Sequence, residues 1–207
     1  MRYFQVLFAI LNLFPLFVHA QPGTTNENEV ALERKLLEAQ QEVFLEDYEE
    51  ATKKFEALWK KFPEEALVAY ELARLYARRD EKGKALDMSE KAVALDPENT
   101  WYQITLADMY QLSEMPEKAG AVYTQLRKKE PGNDYFLFQE AYFHILANQP
   151  SEAVKVYDEL ESRLGVIPEV ALKKERLYRG MGKEKKALEE LEKLAEQARR
   201  EGEIERA

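Results

Sequence analysis

A 34-residue spacing of alanines constrains this chain more than any other feature of its sequence. One series comprises Ala51, Ala85, Ala119, Ala153 and Ala187, and a second series, twelve residues ahead of it, comprises Ala39, Ala73, Ala107 and Ala141. Three of the eight prolines, at positions 63, 97 and 131, share this spacing. Small side chains that recur at a fixed interval mark places where backbone packs closely on backbone. The chain is therefore an array of repeats, and two such places per unit predict two helices per unit.

The segment 66–99 shows the repeated unit most clearly. Apolar residues recur at helical spacing over 67–76 and again over 85–95, and a polar segment at 80–83 separates them. Pro97 ends the second helix, because proline has no backbone N–H to donate and biases Asp96 away from the helical conformation. Each unit is therefore predicted to be a helical hairpin.

At these positions the sequence resembles the tetratricopeptide repeat family. The 34-residue unit of that family carries small residues at its helix crossings, aromatic residues between them and a proline at its end. The residues that match it most closely are Asp47 to Ala51, Phe55, Leu58, Pro63, Leu106, Ala107 and Tyr110. The resemblance implies an all-α, right-handed α-solenoid of five tetratricopeptide helix-turn-helix repeats. Their predicted limits are 32–65, 66–99, 100–133, 134–167 and 168–201, between a polar lead-in at 21–31 and a tail at 202–207.

The first and last units depart from the family pattern. Glu42 stands where a tyrosine is expected, Glu175 replaces a small residue, and Gly165 replaces the proline that would close unit four. Terminal repeats are commonly atypical, because one of their faces has no neighbouring repeat. We therefore expect five units, with the docking angle of unit five left open.

The first twenty residues have the pattern of a secretory signal peptide. Arg2 is the only charged residue among them, residues 4–17 are almost wholly apolar, and Val18-His19-Ala20 offers small residues at the two positions that a signal peptidase recognises. The alternative is an uncleaved membrane anchor. However, Asn12 and Pro15 interrupt the apolar run, which is short against the roughly 20 residues that span a bilayer. We expect cleavage, and no stable membrane insertion of the mature chain.

The composition indicates the cellular compartment of the protein and limits the classes of partner that it can bind. The chain has no cysteine, which excludes a disulfide framework and a lipid-attachment cysteine, and it has no Asn-x-Ser/Thr sequon. These features favour export to the periplasm or cell envelope of a bacterium. Without residues 1–20 the chain carries 29 Lys and Arg against 39 Asp and Glu, a formal charge of −10. This balance argues against a nucleic-acid partner.

The sequence contains no pattern that supports catalysis. His144 is the only histidine of the predicted mature chain, and it is interpreted as a packing residue because it stands where other units carry tyrosine. The glycines form neither a phosphate-binding loop nor a dinucleotide-binding motif. The mixed basic stretch 173–186 and acidic pairs such as Glu189-Glu190 are interpreted as solvated helix faces. We therefore predict no enzyme, no cofactor and no metal site.

The first helices of the units are predicted to carry a peptide-binding groove. In the tetratricopeptide family these helices line the concave face of the superhelix, and the second helices form its back. The predicted groove residues are Tyr70, Arg74, Arg78, Trp101, Ile104, Asp108, Tyr135, Phe138, Tyr142, Arg176 and Arg179. Aromatic and arginine side chains dominate interface energetics. The expected ligand is an apolar or aromatic peptide with acidic flanks that the arginines hold.

These features are compatible with more than one function. The leading hypothesis is a non-enzymatic scaffold or adaptor of the cell envelope, which binds a protein or peptide partner of unknown identity in the groove. An alternative is a structural subunit that self-associates through the face of unit five formed by Leu188, Leu191, Leu194 and Ala195, because residues 202–207 are too few for a capping helix. A further alternative is that the chain is the N-terminal part of a longer array, whose next repeat covers that face.

Overall fold

The computed structural model describes residues 27–204, which form ten α-helices and no strand. The helices are α1 (Glu27–Phe44), α2 (Tyr48–Lys61), α3 (Ala66–Arg78), α4 (Lys82–Leu95), α5 (Thr100–Leu112), α6 (Pro116–Lys129), α7 (Asp134–Leu146), α8 (Pro150–Leu164), α9 (Pro168–Gly180) and α10 (Glu184–Ile204). Each packs against the helices that precede and follow it in the chain. The predicted all-α solenoid is thereby confirmed.

The two ends of the array differ in extent from the sequence prediction. Helix α1 begins at Glu27 and so includes part of the segment that was expected to be a polar lead-in. Ala31 and Leu32 are half-buried in its second turn, which explains why this segment is helical. Helix α10 continues to Ile204, three residues beyond the expected limit of unit five. The predicted signal peptide, residues 1–20, lies outside the described residues.

The alanines of both series lie where helices cross. Eight of the nine are fully buried, and Ala187 is only 2% exposed. Because each presents a single methyl group, the helix axes can approach to about 8–10 Å. Larger side chains fill the space between the crossings, and Phe55, Tyr123 and Tyr157 occupy the same buried position in units one, three and four.

The turn inside every hairpin contains a residue with a positive φ. These residues are Glu46, Asp80, Glu114, Asn148 and Gly182, and they recur every 34 residues. The next backbone N–H donates to the carbonyl five residues back, at 2.8 Å from Met115 to Tyr110. This geometry satisfies the free carbonyls at a helix end. Four units adopt it without glycine, the residue for which it is least costly.

Tyrosine hydroxyls link consecutive units at the same interval. The hydroxyl of Tyr76 donates to Glu56 at 2.7 Å, and the hydroxyl of Tyr110 donates to Glu90 at 3.1 Å. Burial raises the pKa of both hydroxyls, and the neighbouring carboxylates raise it further. The hydroxyls therefore remain protonated donors at neutral pH.

Unit four lacks both this tyrosine and the lysine that lies over its ring in units two and three. The Nζ of Lys84 lies 5.1 Å from the ring centroid of Tyr76, and the Nζ of Lys118 lies 5.3 Å from that of Tyr110. The corresponding residues of unit four are His144 and Glu152. His144 is half-buried, and its Nδ1 lies 2.8 Å from Oε1 of Gln149. The structure thus places His144 in the tyrosine slot, as the sequence predicts.

A buried ion-pair network joins units four and five. Lys174 is 1% exposed, and its Nζ lies 2.7 Å from Asp158, 2.6 Å from Glu161 and 3.1 Å from Glu190. Burial alone lowers the pKa of Lys174, but hydrogen bonds to the three carboxylates raise it more, and the net shift is upward. The prediction of solvated helix faces is therefore wrong for Lys174 and Glu190. Both residues are covered where α9 packs against α8 and α10.

The buried alanines generate a test of the repeat register. Replacing Ala85 or Ala107 with leucine should lower the free energy of unfolding by about 1–3 kcal/mol, because added methyl groups overpack a close helix crossing. Ala57 is exposed on α2 and serves as the control. Ala57→Leu should change the free energy by less than about 0.5 kcal/mol. Urea unfolding of residues 21–207 measures all three, and equal losses would contradict the register.

Candidate functional site

The eleven residues predicted for the groove share one surface of the array. They lie on the first helices α3, α5, α7 and α9. None of the eleven is fully buried: Tyr70, Ile104 and Phe138 are half-buried, and the others are exposed. We call the surface that these eleven residues form the first-helix face. The periodicity of the sequence thus assigns all of them to the side of the first helices that the packed core leaves open.

Direct contacts join neighbouring first helices from α1 to α7. They comprise a 2.9 Å hydrogen bond from Nε2 of Gln40 to Glu71, a 4.9 Å separation between the ring centroids of Tyr70 and Tyr102, and a 3.2 Å hydrogen bond from Nε2 of Gln111 to the hydroxyl of Tyr142. Burial raises the pKa of Tyr102 to about 12. These contacts join α1, α3, α5 and α7 into one continuous surface.

Three aromatic side chains project from the middle of the face. Trp101 is 70% exposed, Tyr135 49% and Tyr142 40%. Asn99 caps the start of α5 by accepting a hydrogen bond from the backbone N–H of Trp101 at 3.1 Å. The ring of Tyr142 packs edge-on against Phe143, with 5.2 Å between the centroids. Aromatic rings that are open to solvent in this way are typical of binding surfaces.

Three of the four predicted arginines are already engaged within the protein, and two of them, Arg74 and Arg78, lie on α3. Nη1 of Arg74 lies 3.2 Å from the buried carboxylate of Glu71, and its guanidinium carbon lies 5.3 Å from the ring centroid of Tyr70. The guanidinium carbon of Arg78 lies 4.7 Å from the ring centroid of Tyr48 on α2. Glu71 and Tyr70 lie one turn before Arg74 on the same helix, whereas Tyr48 reaches Arg78 only through the packing of α2 on α3.

The remaining charged residues of the face differ in their partners. Arg179 pairs with Glu175, one turn earlier on α9. Arg176 forms no hydrogen bond, ion pair or ring contact within residues 27–204. Asp108 forms no hydrogen bond or ion pair within the same range, and desolvation by the surrounding protein raises the pKa of its carboxyl. Asp108 and Arg176 are therefore the two charges of this face that lack an internal partner in the described chain.

Three exposed leucines of the same surface, Leu67, Leu146 and Leu172, were not among the eleven groove residues, and Leu172 stands at the position of Phe138 in its unit. Leu67 stands at the position of Trp101 and Tyr135 in its unit, and Leu146 stands at the position of Arg78. The 34-residue spacing itself was the signal that could have identified all three. They extend the apolar part of the surface on either side of the aromatic side chains.

Residues 27–204 contain no group of three or more His, Asp or Glu side chains that could hold a metal ion. In that range, no helix combines the length and the apolar character that crossing a membrane requires.

Comparison with solved structures identifies the fold. The structure of MamA aligns with a TM-score of 0.67 and 13% identity over 83% of this chain and 94% of that chain. YrrB, described as a TPR protein with an unusual peptide-binding site, aligns with a TM-score of 0.64 and 18% identity over 82% and 91% of the two chains. A tetratricopeptide repeat protein from Parabacteroides merdae aligns with a TM-score of 0.59 and 15% identity over 92% and 70%. The chain has the tetratricopeptide-repeat fold.

The resemblance predicted from the repeated residues is thus confirmed in the structure. No protein-family model and no curated protein matches the sequence. In a tetratricopeptide-repeat fold the first helices line the inner surface of the solenoid. The direct packing of α3 on α5 agrees with this arrangement for the first-helix face.

The free energy of unfolding of two variants tests whether Arg74 supports the fold and Arg176 does not. Arg74→Ala should lower the free energy of unfolding by about 1–2 kcal/mol, because the buried Glu71 carboxylate loses a charged partner and keeps only Gln40. Arg176→Ala removes the same charge from the same face and should change it by less than about 0.5 kcal/mol. Urea unfolding curves compare the two variants. Equal losses would show that the Arg74–Glu71 pair does not support the fold.

Proposed function

We propose that this protein is a non-enzymatic scaffold or adaptor that binds an extended segment of a partner protein on its first-helix face. The observation that carries the proposal is the exposure of Trp101, Tyr135 and Tyr142 on two neighbouring first helices, α5 and α7. Burying apolar surface contributes about 25 cal/mol per Å², so these rings offer a large gain to a ligand that covers them. The likeness in fold to YrrB, with its described peptide-binding site, supports this proposal.

The arrangement of the face favours an extended ligand over a compact one. The three rings follow the row of first helices, and the hydrogen bond from Gln111 holds Tyr142 in a fixed orientation at 3.2 Å. A side chain that is fixed before binding loses less conformational entropy when the ligand arrives. A peptide laid across α5 and α7 would contact all three rings at once.

The competing proposal is a structural subunit that self-associates through α10. Leu188 is 56% exposed there, whereas Leu191 and Leu194 are half-buried. Exposed charged residues, Glu192 and Lys193, surround this single protruding leucine. The apolar surface on α10 is therefore smaller and more interrupted than the aromatic surface on α5 and α7. We consequently favour the first-helix face as the functional surface.

Selection of displayed peptides separates the two proposals. A library of random peptides is selected on residues 21–207, and the recovered peptides are measured by fluorescence polarisation against each variant. Trp101→Ala/Tyr142→Ala should weaken binding by about 2–4 kcal/mol, because exposed aromatic anchors dominate peptide binding. Its thermal unfolding should remain close to that of the wild type, since both side chains are exposed.

Leu188→Ala is the matched control, because it removes a similarly exposed apolar side chain from the other surface. Peptide binding should be unchanged in this variant, and light scattering should show the wild-type chain as a monomer. Binding that survives in the double variant would exclude the first-helix face. A wild-type oligomer that Leu188→Ala dissociates would place the structural-subunit proposal first.

We further propose that the scaffold works in the periplasm or cell envelope of a bacterium. The support is the signal-peptide pattern of residues 1–20 together with the absence of cysteine from the sequence. Expression of the full chain in a bacterium should yield a periplasmic protein whose intact mass corresponds to a start at Gln21. A full-length cytoplasmic product would contradict export, and a full-length product in the membrane fraction would support the anchor.

A further inference from the structure

Four residues occupy the same position on consecutive first helices and form a row along the first-helix face. They are Arg74 on α3, Asp108 on α5, Tyr142 on α7 and Arg176 on α9, spaced at intervals of 34 residues. All four are exposed. A ligand that follows the row of helices therefore meets a cation, an anion, an aromatic ring and a second cation in that order.

An internal contact already occupies one of the three charges in this row. Arg74 is paired with the buried carboxylate of Glu71 at 3.2 Å. Asp108 and Arg176 have no hydrogen bond or ion pair within residues 27–204. The charges that remain available to a ligand are therefore one carboxylate and one guanidinium, with Tyr142 between them. This differs from the sequence expectation, in which arginines at both ends hold two acidic flanks.

The protein around Asp108 partly desolvates its carboxyl group. Desolvation raises the pKa of this carboxyl, which means that its ionised form is disfavoured in the free protein. A cation supplied by a ligand would relieve this cost. The other charged side chains on the face are less available, because Arg179 pairs with Glu175 and Arg78 lies over the ring of Tyr48.

The spacing of the helices sets the spacing of ligand side chains. Packed helices lie about 8–10 Å apart, and an extended chain advances about 3.3 Å per residue. One repeat therefore corresponds to about three residues of an extended ligand. We take the same spacing for the step from α7 to α9. Asp108 and Arg176, which are two repeats apart, then correspond to about six residues of the ligand, with Tyr142 opposite the midpoint.

We propose that the first-helix face recognises an extended protein segment with a Lys or Arg, an apolar or aromatic residue about three positions away, and an Asp or Glu about three positions further. This inference rests on the proposed peptide-binding function. The basic side chain pairs with Asp108, the central side chain packs on Tyr142, and the acidic side chain pairs with Arg176. Because all three contacts are made by side chains, the segment can run in either direction.

Synthetic peptides with defined charges test this pattern. Each fluorescein-labelled eleven-residue peptide carries a central leucine in a Gly/Ser background, with charged residues three positions to either side. The four patterns are Lys/Glu, Glu/Lys, Lys/Lys and Glu/Glu, and a fifth peptide places Lys and Glu next to the leucine. At least one of the two opposite-charge peptides with the wide spacing should bind the wild type about fivefold more tightly than each other pattern, since one exposed ion pair contributes up to about 1 kcal/mol.

A charge reversal on the protein should change the preference. Asp108→Arg places cations on both sides of Tyr142, so this variant should bind the Glu/Glu peptide most tightly. Asp87→Arg makes the same substitution on the second helix α4, where Asp87 pairs with Lys91 at 2.7 Å, and should keep the wild-type preference. An Asp108→Arg variant that still prefers the opposite-charge peptides would overturn the assignment.

The same peptides separate this inference from the function on which it rests. Trp101→Ala/Tyr142→Ala should abolish binding of every peptide. If the wild type binds all charge patterns equally and the double variant binds none, the charge pattern is wrong but the peptide-binding face stands. If no peptide binds the wild type, or if the double variant binds as the wild type does, both proposals fail.

Discussion

Close helix crossings at the buried alanines are the constraint on which the rest of this structure depends. Nine alanines lie at these crossings, and eight of the nine have no exposed surface at all. Because the crossings recur every 34 residues, each hairpin meets the next in a similar way. The first helices consequently lie side by side, and residues one repeat apart form rows along the array. The row that contains Asp108 and Tyr142 is a direct consequence of that regularity.

The packing between units changes from apolar to ionic along the chain. One position of the first helix is Leu72 in unit two and Leu106 in unit three, then Glu140 in unit four and Lys174 in unit five, and all four are buried. Oε2 of Glu140 lies 2.7 Å from Nε of Arg127 in the unit before it, as an ion pair. Buried ion pairs offset much of their own attraction through desolvation, but an unmatched partner is strongly unfavourable. Removing one partner of such a pair should therefore destabilise the protein more than the intact pair stabilises it.

The sequence predicts the helices and the open face well, because both follow from the spacing of side chains along the chain. It does not predict the turn conformations or the side-chain contacts between different helices. The turn residues such as Glu114 escape notice because they adopt a positive φ without being glycine. The burial of Lys174 depends on Glu190, which only the docking of α10 brings within 3.1 Å. For the same reason the eleven groove residues follow from periodicity, whereas the contact of Arg78 with Tyr48 on α2 requires the structure.

The two tryptophans of the chain provide the most direct test of peptide binding on the first-helix face. Trp101 lies on that face, whereas Trp59 is half-buried on the second helix α2 near Lys91. Their indole N–H signals in a ¹⁵N–¹H NMR spectrum can be followed while a peptide selected on the wild type is added. The signal of Trp101 should shift progressively and that of Trp59 should stay in place. A shift of Trp59 with Trp101 unchanged, at peptide concentrations that saturate the protein, would contradict the proposed binding face.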